Sequence, residues 1–163
     1  MDGKTKYISK RPLRNNISWN HINAVGAVFG TATVVVNGDT YKVRLPSGAN
    51  TNPAKGSSGH DAPHTHGCEW NRLMYHISAL PFGNFNNKLT SEGIAEGDWA
   101  SYSEKDLLTH SSGGSGSYQW CQETGTDPST RVYRGYTGVS HSAQMPSSTT
   151  AAGCGWRAVL ELV

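Results

Sequence analysis

No run of this chain approaches the roughly 18 consecutive apolar residues of a membrane helix, and nothing near its start has the basic-then-apolar order of a secretory leader. Membrane insertion is therefore not expected. Heptads and charge-rich helical runs are missing, which excludes a coiled coil. Charge is scarce, with 16% of the 163 residues charged and a formal net charge of only +2. Nucleic-acid binding has little support on that balance. Cysteine is scarce too. Cys68, Cys121 and Cys154 make no CxxC pair and no zinc-ribbon spacing, and their odd number argues against a complete disulfide framework. Buried free thiols in a reducing compartment are the default. No GxSxG, dinucleotide fingerprint or phosphate loop is present, since Gly113-Gly114-Ser115-Gly116 is a bare flexible linker. Glu92, Glu96 and Asp98 fall near one loop and form no convincing carboxylate pair for glycoside hydrolysis.

What is abundant is small and neutral. The chain holds 19 glycines and many Ser, Thr and Asn residues, with 36% apolar and 9% aromatic residues. The aromatics are too many for a disordered chain. The length suits one domain with a core of ordinary size. The small net charge is unevenly spread. Lys4, Lys6, Lys10, Arg11 and Arg14 precede residue 15, against Asp2 alone. Removing those five from 14 basic residues, and Asp2 from 12 acidic ones, leaves nine and eleven. Residues 1–16 therefore read as a basic arm or connector, solvated as terminal segments usually are. Residues 17–163 read as the single domain.

Local patterns order that domain. Thr33 to Val36 and Thr40 to Leu45 flank Asn37-Gly38-Asp39, and Asn-Gly is the strongest short hairpin signal. Tyr41, Val43 and Leu45 alternate with Lys42 and Arg44, which predicts one buried and one wet face. Before the hairpin, Ile22, Val25, Val28 and Phe29 share one short apolar face, although Gly26 and Gly30 weaken any helix there. Residues 46–66 carry almost nothing to bury and predict a long surface loop. Trp70, Leu73, Met74 and Ile77 recur at i, i+3, i+4 and i+7, which predicts a helix from Glu69 that Pro81 stops. A second helix is predicted over 99–108. Tyr118 to Gln122, Arg131 to Arg134 and Trp156 to Val163 read as strands. Residues 135–155 form a polar stretch with few apolar anchors. The expected class is α+β, loop-rich, with two short helices and a small, mostly antiparallel sheet. Loops that long persist in compact domains mainly when they bind something.

Two groups carry possible chemistry. His60, His64 and His66, with Asp61 between them, make an HxxxHxH group. Alternate residues of an extended segment face one side, so His64 and His66 could share a transition metal such as Zn, Ni or Fe, completed by His60 or Asp61. Loop histidines hydrogen-bonded to nearby backbone account for the pattern more simply. The second group is aromatic. Tyr118, Trp120, Tyr133, Tyr136 and Trp156 lie among Gln119, Gln122, Arg131, Arg134, Ser140, His141 and Gln144. Flat rings mixed with amide, hydroxyl and guanidinium groups suit sugar faces and polar surface polymers. Trp70 and Trp156 sit in apolar runs and are assigned to the core; Tyr136 is assigned to the surface.

Glu69-Trp70-Asn71-Arg72-Leu73, Arg134-Gly135 and Gly155-Trp156-Arg157-Ala158-Val159-Leu160 resemble the formylglycine-generating-enzyme/sulfatase-modifying branch of C-type lectin-like folds. Tyr136 stands where that branch has a second glycine and Ala158 where it has proline. Its paired catalytic cysteines have no counterpart, so the oxidase activity is not implied. The resemblance covers residues 67–163 and implies a lectin-like scaffold. Arg134, Gly135, Gly155, Trp156 and Arg157 would frame a ligand-facing loop over 136–153. Modules of this kind occur in phage tail fibres. The implied function is a non-catalytic adhesin that attaches a virion or other extracellular particle, assembled in the cytoplasm, to a host cell-surface glycan or protein. Tyr136, Ser140, His141, Gln144, Tyr118 and Trp120 would contact the ligand, and a homotrimer would follow by analogy. The alternatives are a metal-dependent enzyme using the histidine group and a structural virion protein. Lectin-like folds also imply that Cys68 and Cys154 lie close together, here without a bridge.

Overall fold

The computed structural model describes residues 3–55, 68–74, 118–136 and 141–163. In chain order the described elements are β1 (Lys6–Ile8), α1 (Trp19–Ala24), β2 (Phe29–Val36), β3 (Asp39–Arg44), α2 (Glu69–Met74), β4 (Tyr118–Thr124), β5 (Thr130–Arg134), β6 (Ser142–Pro146), β7 (Cys154–Gly155) and β8 (Val159–Leu162). The β2–β3 hairpin is present where Asn-Gly predicts it. Asn37 and Gly38 take φ values of 53° and 91°, and Val36 pairs directly with Asp39. A two-residue turn with both φ values positive matches the twist of the strands it joins.

The strands form two sheets of four, ordered β1-β8-β3-β2 and β6-β5-β4-β7. The expectation of an α+β, C-type lectin-like class with one small sheet is thereby corrected. Among the described residues the molecule is mostly β, and its two helices have six residues each. The reason is that segments with little strand propensity of their own are recruited by existing edges. Lys6 to Ile8, from the basic segment read as solvated, pairs antiparallel with β8. Ser142 to Pro146, from the polar stretch read as loop, pairs antiparallel with β5. Both gain main-chain hydrogen bonds that no local pattern reports. The predicted helix over 99–108 lies outside the described residues.

Strand β4 lies between the two hydrophobic clusters. Successive side chains of a strand point to opposite faces. Trp120 therefore joins Trp19, Ile22, Val28, Leu45 and Cys154, while Cys121 joins Cys68, Trp70, Leu73, Met74 and Val132. Cys68 thus shares a cluster with Cys121 and not with Cys154, contrary to the lectin-like analogy. All three thiols are buried and unbridged. Trp70 is core as predicted, and Trp156 is partly buried against the second cluster.

Both helices are held by caps. Ser18 opens α1, its Oγ accepting from His21 N at 3.2 Å. Gly26, at φ 75°, follows the helix and turns the chain toward β2. Ile22 and Val28 are buried, but Val25 and Phe29 from the same predicted face are exposed. Three main-chain N–H groups at the start of α2 meet acceptors from 47–50: Cys68 N donates to Asn50 Oδ1, Glu69 N to Ser47 Oγ and Trp70 N to Ser47 O. That requires 46–50 to run along the core. Pro46, Gly48 and Ala54 are buried, so this part of the predicted surface loop is structural.

Arg44 departs from the alternation that placed it on a wet face. It is only 8% exposed, because Glu69 of α2 covers it. Its Nη1 and Nη2 donate to the two Glu69 carboxylate oxygens at 2.6 and 2.5 Å, and its Nε reaches Glu161 at 3.1 Å. Lys6 adds a bond to Glu69 at 2.9 Å. Burial alone would raise the Glu69 pKa, but the hydrogen bonds and charge of Arg44 outweigh it and hold the carboxyl below its ordinary value. This network ties β1, β3, β8 and α2 together.

Candidate functional site

The register of the second sheet sets four rings side by side. Trp120 lies opposite Tyr133 in β4–β5, and Tyr118 lies opposite Cys154 in β4–β7. After β5 the chain turns at Gly135, whose φ is 91°. Gly135 N donates to His141 O at 3.1 Å, and Arg134 Nε donates to the same carbonyl at 3.0 Å. These bonds close the connection from Tyr136 to His141 at its base.

The resulting ring contacts form a cycle. Tyr118 is edge-on to Tyr133 at 4.9 Å between centroids and tilted over Tyr136 at 4.3 Å. His141 sits 5.7 Å from Tyr133 and 5.6 Å from Tyr136. Such separations lie in the range where aromatic pairs attract beyond simple burial. Gly153 is needed beneath them, because a Cβ there would come within 2.9 Å of two Tyr118 ring carbons. Tyr136 is 44% exposed and presents its ring outward, while the other three rings are partly buried behind it. Burial, followed by the hydrogen bond to Tyr136, pushes the Tyr118 phenol up to about 12. The phenol therefore stays protonated at neutral pH and can donate a hydrogen bond. The arrangement offers a flat apolar surface with hydroxyl and imidazole groups at its edge.

Three of the six residues predicted to contact a ligand, Tyr118, Tyr136 and His141, are thus brought together. Trp120 is not available. It is 0% exposed, and its indole Nε1 donates to Ile17 O at 2.8 Å inside the core. Gln144 also has a structural role. It lies in β6 opposite Val132, and its Oε1 accepts from Thr126 N at 2.8 Å and Thr126 Oγ1 at 3.0 Å. It shapes the β4–β5 turn. Gln144→Ala is expected to lower stability by about 1 kcal/mol, read as a Tm loss of roughly 2–4 °C, with ligand binding unchanged. Ser140 lies outside the described residues, as do the metal candidates His60, His64 and His66. Tyr133 was missed as a site residue although its strand was predicted. The signal was there, since Tyr118, Trp120 and Tyr133 fall on two segments that read as strands.

Beneath the rings, Arg134 fixes the connection to the rest of the molecule. It is fully buried, with Nη1 donating to Gly48 O at 2.7 Å, Nη2 to Asn71 Oδ1 at 2.8 Å, and its guanidinium 5.7 Å from the Trp70 ring centre. Gly48 in turn donates its N–H to Glu123 Oε2 at 2.9 Å. A side chain at Gly48 would overlap Cys121 Sγ, so the backbone comes this close only because the residue is glycine. No protein-family model matches the chain, no curated protein matches it, and no solved structure matches it.

Proposed function

We propose that this chain is a non-catalytic recognition module that binds a host cell-surface glycan or protein through the ring surface of Tyr136, Tyr118, Tyr133 and His141. The observation that carries the reading is the outward Tyr136 ring, stacked on Tyr118 and braced by His141 at the end of a sheet. An exposed aromatic ring held in one orientation costs little conformational entropy when it meets a ligand. Its apolar face complements the C–H face of a sugar ring or an apolar side chain, and the phenol and imidazole groups serve the polar edge. The Arg134-Gly135 and Gly155-Trp156-Arg157 motifs support placing the module on a phage tail fibre or related particle.

Tyr136→Ala is expected to weaken binding at least tenfold, about 1.4 kcal/mol or more, with the melting temperature nearly unchanged. Glycan-array and whole-cell binding measure the effect. Tyr136→Phe should retain most of the affinity if ring stacking dominates. Equal binding by wild type and Tyr136→Ala would move the site off this surface.

A further inference from the structure

Strand β2 is an outer strand of its sheet, and its free side is the least protected edge among the described residues. Of the other outer strands, β1 has three residues and is basic at Lys6, β6 ends on Pro146, and β7 has two residues. Short length, lysine and proline are the usual guards against strand addition. β2 runs for eight residues, and residues 29–38 carry neither charge nor proline. Opposite Val35, Thr40 gives its carbonyl to Val163 N at 3.0 Å. Val35 and Thr40 are thus a non-hydrogen-bonded pair, so the Val35 N–H and C=O point out of the sheet. Those of Thr33, two residues earlier, do the same. Both residues are exposed, and among the described residues these outward groups have no hydrogen-bond partner.

The side chains along this edge are apolar as well. Val34, Val35 and Val36 are 38%, 66% and 40% exposed. Where the strand register shifts before Thr33, Val25, Phe29 and Ala32 line an open cavity of about 440 Å³. The chemistry of the edge selects an extended strand that is neutral, because no charge on β2 answers a charged one. β2 itself meets that description. We propose that β2 is a homodimer interface, at which two copies of the chain pair antiparallel about a two-fold axis through Val34. That register alone uses both outward residues of each copy. It sets Thr33 opposite Val35 of the second copy, and the reverse, each pair exchanging both of its N–H···O bonds. Val36 of the second copy then falls beside Ala32, at the mouth of the cavity. The β1-β8-β3-β2 sheets of the two copies become one continuous sheet.

Sedimentation equilibrium of the full chain tests the interface. The average mass is expected to rise from one chain to two across the micromolar range. Val34→Lys sets two ammonium groups face to face across the axis, and Val35→Pro removes an outward N–H that β3 does not use. Each should weaken association at least tenfold, while at dilution the variant melts within a few degrees of wild type. Val34→Cys places two Cα atoms about 4.5 Å apart, within disulfide reach. Under mild oxidation it should give a covalent dimer, since the three native thiols are buried, whereas Val36→Cys should not. A chain that stays monomeric at every soluble concentration would overturn the proposal. So would a dimer that keeps its affinity in Val34→Lys, or one that cross-links through Val36→Cys and not through Val34→Cys.

Discussion

Replacing Arg134 by alanine is expected to destabilise the protein by roughly 3–5 kcal/mol, a loss of about 6–20 °C in melting temperature for a chain of this size. The side chain is fully buried and holds Gly48 O, Asn71 Oδ1 and His141 O together. Removing it takes a donor from each of these acceptors, although His141 O keeps the Gly135 N–H, and leaves a cavity against Trp70. Arg134→Lys separates the two roles of the residue. A lysine ammonium cannot reproduce the planar fork, so it cannot serve Gly48 O, Asn71 Oδ1 of α2 and His141 O at once. The lysine variant should fold with intermediate stability yet bind ligand more weakly than wild type, because the support under His141 is lost. Urea unfolding and cell binding on the same samples give both readouts. An Arg134→Ala protein as stable as wild type would refute the role assigned to this residue.

The second large effect depends on pH. Glu123 is 6% exposed, and burial pushes its carboxyl up from an ordinary value near 4.5 to about 7, despite hydrogen bonds from the Gly48 and Ala49 amides that favour the ionised form. Between those two values the unfolded chain has lost the proton and the folded chain still holds it. Stability from this group is therefore full below about 4.5 and falls as pH rises. By pH 7 to 8 the loss reaches about 3 kcal/mol and levels off. Glu123→Gln mimics the protonated acid and keeps an oxygen for the Gly48 N–H. The variant should match wild type near pH 5 and exceed it at pH 8. Subtracting the two urea-midpoint curves across pH 4.5–8.5 cancels the other titrating groups. Parallel curves would show that Glu123 titrates near its ordinary value.

Local order was legible wherever a segment carried its own instructions. Asn37-Gly38 dictates the hairpin turn, and the spacing of Trp70, Leu73 and Met74 dictates α2. The alternating rows of β4 and β5 are readable as strands for the same reason. What was not legible depends on partners far away in sequence. Lys6–Ile8 and Ser142–Pro146 become strands only because β8 and β5 present open edges. Arg44 is buried only because α2 brings Glu69 over it. The candidate site divides along the same line. Tyr118, Tyr136 and His141 were visible as polar-flanked aromatics near a loop. Trp120 could not be told from them by composition, because its burial is set by packing against Trp19 and Ile22. Gln144 looked like a free loop amide until β6 paired and turned it toward Thr126.

The order β1-β8-β3-β2 has a kinetic consequence. Strand β8 lies between β1 and β3, yet Arg44 and Glu161, which meet across that junction, are 117 positions apart. The β2–β3 hairpin needs only local contacts and can close within about 1–10 μs. Its outer edge then waits for a strand that the ribosome makes after all the other described elements. Loop-closure entropy must be met before the centre of the sheet gains anything, which places folding in the slow, milliseconds-to-seconds class of non-local β proteins. During that interval β3 presents an unsatisfied edge to other nascent chains. Yield on expression should therefore depend on how quickly synthesis of β8 follows, and a chain truncated before Val159 should aggregate even though most of its residues are present.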